Sequence, residues 1–192
     1  LDDLRRHPGT NGFIYASEVC IWKDPVTSMQ RTKALGLLHK TVRGNAAMSR
    51  QGIADYLVTM RAPGECERVI HGEEYPVGLW QKIASPVWMD INPSDTLQYR
   101  SAREHDDERH IAPLQLEVIR RAIRLWTNPD DIVLSPFAGV GSEGFVAREM
   151  GRRFIGVELK RSYWKAACAN LARAHATNGE LFDSSCPEPA DD

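Results

Sequence analysis

The sequence has few cysteines, and none stands in an arrangement that grips a metal. Cys20, Cys66, Cys168 and Cys186 are far apart, with no C-x-x-C pair and no histidines at finger spacing. That spacing argues against structural zinc, so no metal site is expected. The same usage suits free thiols in a reducing compartment. No apolar run approaches the ~20 residues that cross a bilayer, and no charged segment followed by an apolar core marks a secretory leader. The expectation is a cytoplasmic protein with no membrane partner. Two adjacent prolines occur nowhere in the chain, an absence that bears on catalysis below.

Acidic residues are missing from one long stretch. Pro25 to Ala54 contains no Asp or Glu, yet it holds Arg31, Lys33, Lys40, Arg43 and Arg50. A net charge of −2 hides this asymmetry. Five cations without an anion suit contact with phosphates, although a solvated helix face has the same composition. The opposite bias closes the chain. Residues 176–192 end in FDSSCPEPADD, acidic and with little to bury, and read as a disordered tail. With 192 residues, 42% hydrophobic and 26% charged, the chain suits one ordinary globular domain.

Residues 1–24 read as a helix end, a turn at Pro8–Gly12 and a strand over Phe13–Trp22, which is rich in β-branched and aromatic residues. Asp24-Pro25 ends that strand. Residues 25–54 form the basic insert, with weak helical periodicity near Ala34–Leu38 and a breaker at Gly44-Asn45. Residues 55–109 begin with a strand over Asp55–Met60. They continue as Pro-, Gly- and charge-rich loop, with Trp80 and Trp88 as expected anchors.

Residues 110–175 are the most regular. Leu114, Leu116, Val118, Ile119, Ala122, Ile123 and Trp126 recur at helical spacing. Ile132–Leu134 is a wholly apolar strand of the kind buried in a parallel sheet. A glycine loop, a helix over Glu143–Met150, a strand over Phe154–Val157 and a helix over Arg161–Ala174 follow. Alternation of this kind predicts an α/β fold with a crossover unit on a parallel sheet.

The loop reads Ser135-Pro136-Phe137-Ala138-Gly139-Val140-Gly141-Ser142-Glu143-Gly144, and its glycines satisfy G-x-G-x-x-G. Glycine permits a tight turn and close approach of a ligand to the backbone, and the next helix presents unpaired N–H groups. Glu158 follows the next strand, 17 residues after Gly141, where a carboxylate can accept both hydroxyls of an adenosine ribose. A nicotinamide dinucleotide and S-adenosylmethionine both fit that much. A dinucleotide wants its first glycine close to the strand end, because the pyrophosphate sits on the helix N-terminus. Here four residues separate Leu134 from Gly139, which favours adenosylmethionine.

These motifs are similar to those of the N6-adenine/N4-cytosine DNA methyltransferases, in particular the permuted group that includes phage and prophage methylases. In that family the loop reads D-P-F-x-G-x-G, and the segment before it begins with His and a Pro. The matching positions are His110 and Pro113, then Ser135, Pro136, Phe137, Ala138, Gly139 and Gly141, with Glu158 as the ribose acid. The resemblance implies a Rossmann-like methyltransferase fold, S-adenosylmethionine as cofactor and double-stranded DNA as partner, as in restriction–modification. It places the DNA-recognition element at Arg31, Lys33, Lys40, Arg43 and Arg50. Two positions depart from the family. Ser135 replaces the loop's Asp, and Leu114-Gln115 replaces a Lys-Pro.

The family holds the target amine with a D/S-P-P-aromatic tetrapeptide, on a base flipped out of the duplex. No such string is present. Ser85-Pro86-Val87-Trp88 is the nearest, but it follows the basic insert, whereas the family places its tetrapeptide before it. A loop with a buried tryptophan is the favoured reading of this string, ahead of a catalytic role for Ser85 and Trp88. The chain begins at Leu1 and not at Met. It is therefore expected to be a piece of a DNA amino-methyltransferase whose tetrapeptide lies upstream, inactive on its own. A non-catalytic DNA-binding fragment and an NAD-binding oxidoreductase domain are the alternatives.

Overall fold

The structure is a computed structural model that describes residues 12–32, 36, 38–50, 52–65, 68–70, 75–98, 102 and 113–177, with the side chains of 31, 32 and 175–177 outside that description. The expected helix end before Gly12, the site residues Lys33 and His110 and the acidic tail lie outside it. Two compact units divide the chain, one over residues 1–69 and 73–91 and the other over 70–72 and 92–192.

The first unit is built on a three-stranded sheet. β1 (Ile14–Ile21) is its centre. β2 (Asp55–Arg61) pairs with it antiparallel from Ile14↔Arg61 to Ile21↔Asp55, with a bulge between Tyr15 and Ser17. β3 (Val87–Trp88) pairs with the other edge in parallel, through Cys20↔Val87 and Ile21↔Trp88. Ile21, Ile83, Trp88 and Ile91 are its buried hydrophobic residues. Trp88 is 1% exposed and its indole N–H donates to the Ile83 carbonyl at 3.2 Å, which satisfies the one polar atom the ring brings inside.

Between β1 and β2 lie α1 (Pro25–Thr32) and α2 (His39–Gly44), followed by a single 3-10 turn over Ala46–Met48. The helical periodicity expected near Ala34–Leu38 falls mostly outside the described residues, with only Gly36 and Leu38 inside them. Asp24-Pro25 ends a strand and also begins a helix. The Asp24 side chain accepts the Thr27 amide at 2.8 Å, and proline stands at the first helical position. A further helix, α3 (Val77–Ala84), crosses a stretch expected to be mostly loop. Gly78 and the surrounding prolines and charges mask its short period. Trp80, expected to anchor this region, is 58% exposed on α3. Cys20 is a free thiol. Cys168 stands in a disulfide, contrary to the expectation of four free thiols.

The second unit runs α4 (Leu116–Trp126), β4 (Ile132–Ser135), α5 (Ser142–Glu149), β5 (Arg153–Gly156) and α6 (Arg161–Thr177). β4 and β5 pair in parallel from Ile132↔Arg153 to Ser135↔Gly156. Leu97, Ala102, Leu116, Ile119, Ile123, Val140, Val146, Ala147 and Tyr163 form the core, and Val133 and Phe154 pack against it. Arg120 ties α4 to its neighbours, reaching Asp95 at 3.5 Å and Glu149 at 3.1 Å. Burial of β4 on both faces, expected from its apolar run, does not hold. Ile132 and Leu134 are 51% and 63% exposed, because strand residues alternate and the core covers only the face of Val133 and Phe154. No helix of the described residues is long and apolar enough to cross a membrane.

Candidate cofactor site

The β4–α5 loop is shaped by two glycines in the left-handed region. Gly139 has φ +55° and Gly141 φ +81°, values that side chains rarely tolerate. Their surroundings differ. A Cβ on Gly139 would meet nothing within 4 Å, so the loop is open there. A Cβ on Gly141 would stand 2.9 Å from Leu171 Cδ1 and 3.2 Å from Ala167 Cα, so α6 backs the loop directly. The Gly141 amide donates to Ala138 at 2.7 Å and the Phe145 amide to Gly141 at 2.8 Å, closing the turn into α5.

Glu158 follows β5 and reaches back to this loop. Its Oε2 accepts the Gly139 amide at 2.8 Å and its Oε1 accepts the Lys160 amide at 2.9 Å. The ladder extends past the strands through Val157 N–H to Ser135 O and Ala138 N–H to Val157 O, both 2.9 Å. These bonds place the acid beside the open glycine. A carboxylate oxygen carries two acceptor sites, so each oxygen retains one after its backbone bond.

The flanks are apolar and exposed. Phe137 is 88% exposed and Leu159 is 99% exposed, one on each side of the Gly139–Glu158 bond in the chain. Ser135 is 8% exposed, with its carbonyl engaged by Val157. Burial pushes the Glu143 carboxyl above the usual carboxylate range, against a hydrogen bond to its own backbone amide that lowers it. An open glycine backbone, an acid with free acceptor sites and exposed apolar neighbours together fit a nucleoside bearing a ribose diol and a purine.

One residue that the motif does not contain also touches the loop. Asn170 of α6 donates from Nδ2 to the Val140 carbonyl at 2.8 Å. It is 6% exposed on a helix face shared with Ala167 and Ala174. A lone buried Asn in an otherwise apolar helical seam is the signal that sequence reading passed over.

The other expected site residues are placed as follows. Pro113 is half-buried just before α4. Tyr163, early in α6, is 7% exposed within the core, with the Lys160 ammonium 4.6 Å above its ring centre. Ser85 Oγ donates to the Val87 carbonyl at 2.7 Å, two residues away, and Trp88 is buried, so Ser85-Pro86-Val87-Trp88 leads from the end of α3 into β3 of the first unit. In the basic insert, Lys40 and Arg43 are exposed three positions apart on α2. Arg50 is exposed and folds over Gly36, where a Cβ would lie 2.8 Å from its Cγ. The Asn45 and Ser49 side chains of the same insert serve the backbone. Asn45 accepts the Ala47 amide at 3.1 Å, and Ser49 donates to Ala46 at 2.7 Å. Among the described residues no group of three or more His, Cys, Asp or Glu could hold a metal ion.

Comparison with known proteins gives a family and a fold. A family model described as DNA methylase matches residues 22–169. The chain is 38% identical over 74 residues to the type II methyltransferase M.BglII of Bacillus subtilis, covering 38% of this chain and 21% of that protein. It is 32% identical over 102 residues to the type II methyltransferase M.HindIII of Haemophilus influenzae, covering 51% of this chain and 33% of that one. The matched part is thus a third or less of either relative. Among solved structures, the Thermus thermophilus protein TTHA0409, determined with S-adenosyl-L-methionine, shares the fold. Its TM-score is 0.57 at 22% identity, over 85% of this chain and 55% of that one.

Proposed function

This chain belongs to the N6-adenine/N4-cytosine DNA methylase family, and on that premise we propose that it is the S-adenosylmethionine-holding part of a DNA amino-methyltransferase. The observation that carries the reading is the Glu158–Gly139 bond, which sets an acid with spare acceptor capacity against an open glycine backbone. Bound at this loop, S-adenosylmethionine supplies an activated methyl group. The chain's own residues hold and orient. Glu158 accepts the ribose hydroxyls, Phe137 and Leu159 lend apolar surface to the purine, and Ser135, Pro136, Ala138, Gly139 and Gly141 shape the backbone around it. His110 and Pro113 complete the site from the segment before α4.

Double-stranded DNA is the proposed partner, with Arg31, Lys33, Lys40, Arg43 and Arg50 meeting its phosphates. Each phosphate contact adds about 0.9 to the slope of log affinity against log salt. Transfer also requires a group that holds the amine's protons and aims its lone pair. The resemblance assigns that task to a D/S-P-P-aromatic tetrapeptide, which these 192 residues do not contain. The chain alone therefore binds donor and duplex without turnover.

The test is duplex binding across a salt series, joined to transfer of tritiated methyl with an intact family member as control. Replacing the five cations with Ala should flatten the salt slope, and no label should reach the DNA. An unchanged slope removes the DNA role of the insert. Turnover lost in Ser85→Ala would place the catalytic group at Ser85.

A further inference from the structure

We propose that Asn170 is a positioning residue for the cofactor loop, holding the peptide between its two left-handed glycines in the shape that receives the ligand. The inference rests on the cofactor reading above and extends it to a residue outside the glycine motif.

Val140 lies between Gly139 and Gly141, both at positive φ. Glycines give the loop its shape and also leave it the most conformational freedom to lose. Something outside the loop must restrict it. Two side chains do so. Glu158 takes the Gly139 amide, and Asn170 gives a hydrogen bond to the Val140 carbonyl, two peptides further on. Asn170 is 30 residues away in sequence, so this bond fixes the loop to α6 and not to itself.

The orientation of the Asn170 amide is determined by its own surroundings. Arg173 Nη2 donates to Oδ1 at 2.5 Å, which leaves Nδ2 to face Val140. The amide is thus used on both sides. Ala167, one turn earlier on the same face, lies against Gly141, so the helix face that carries Asn170 also backs the loop. A hydrophobic residue would fill the buried seam equally well, whereas a buried amide is tolerated only when bonded. The bond at Val140 is what makes Asn the suitable residue here.

The test uses the full 192-residue chain as Asn170→Leu and Asn170→Asp. Leucine keeps the volume without the donor, and aspartate keeps the shape and cannot donate when ionised. S-adenosylhomocysteine affinity is measured by calorimetry, and amide exchange is followed in the ligand-free chain. Both variants should bind about fivefold to tenfold more weakly, the effect of one lost hydrogen bond. Exchange should quicken at Gly139 and Gly141 while the amides of α6 keep their protection. Wild-type affinity in both variants overturns the proposal. So does loss of protection along the whole of α6, including outright unfolding of both variants, which assigns Asn170 to the fold alone. If the unaltered chain binds no cofactor, the cofactor reading fails. The exchange measurement still decides whether Asn170 holds the loop.

Discussion

The Glu158 carboxylate receives the Gly139 amide at 2.8 Å across 19 residues of sequence. An acid assigned by motif to a ligand is therefore also bonded to the loop's own backbone. Charge-assisted bonds of this kind are shorter and stronger than neutral ones.

Glu158→Ala should thus have two effects. Cofactor affinity should fall by roughly 1–3 kcal/mol, as a charged acceptor is lost. The Gly139 amide should also exchange faster in the absence of ligand. Glu158→Gln retains one acceptor oxygen and should lie between. Calorimetry with S-adenosylhomocysteine and amide exchange check the pair. A loss of affinity with unchanged exchange would mean that the acid serves only the ligand.

The two loop glycines should respond differently to alanine. Gly139→Ala meets only the left-handed backbone penalty, about 1–2 kcal/mol, because nothing stands within 4 Å of the new methyl. Gly141→Ala adds overpacking against Leu171 and Ala167 at 2.9 and 3.0 Å, a further ~1–3 kcal/mol. Urea unfolding of the two variants should rank them in that order. Equal losses would contradict the close approach of α6.

Within the first unit, Trp88→Ala should cost about 3–5 kcal/mol, since it empties a fully buried site and strands the Ile83 carbonyl. Trp80→Ala, at an exposed position, should change stability by less than about 0.5 kcal/mol. Thermal melts decide between the two tryptophans.

Glu143 gives a pH dependence whose sign is set by burial. Its folded value is raised above 4.5, so the folded chain binds the proton more tightly than the unfolded one. Its contribution to stability is fully present below 4.5 and is lost as pH rises through the raised folded value. Glu143→Gln should remove that loss, making the protein more stable near pH 7 and flattening the acid-side profile. A variant less stable than wild type near neutral pH would show that the ionised carboxylate has a stabilising partner.

The second unit was the more legible in sequence, and the reason is local. Leu116, Ile119 and Ile123 repeat at helical spacing because one face of α4 meets the core, and Gly139 and Gly141 stand where the backbone needs positive φ. Glu158 stands out in the sequence because its distance from the loop is set by one helix and one strand, and it bonds to that loop at Gly139. The basic insert was less legible. Its helices are short and flanked by glycine, and the cap at Asp24 reads equally as a strand end. Trp80 and Trp88 have the same residue type and opposite burial. The choice depends on β3 pairing with β1, a contact across more than 60 residues that no local pattern reports. Asn170 escaped for a similar reason, because its partner Val140 lies 30 residues earlier.

The most direct test is calorimetric titration of the chain with S-adenosylmethionine and, separately, with NAD. The Gly139–Glu158 geometry predicts saturable binding of S-adenosylmethionine that weakens in Glu158→Ala, and no binding of NAD. Tight binding of NAD without any S-adenosylmethionine signal would contradict it.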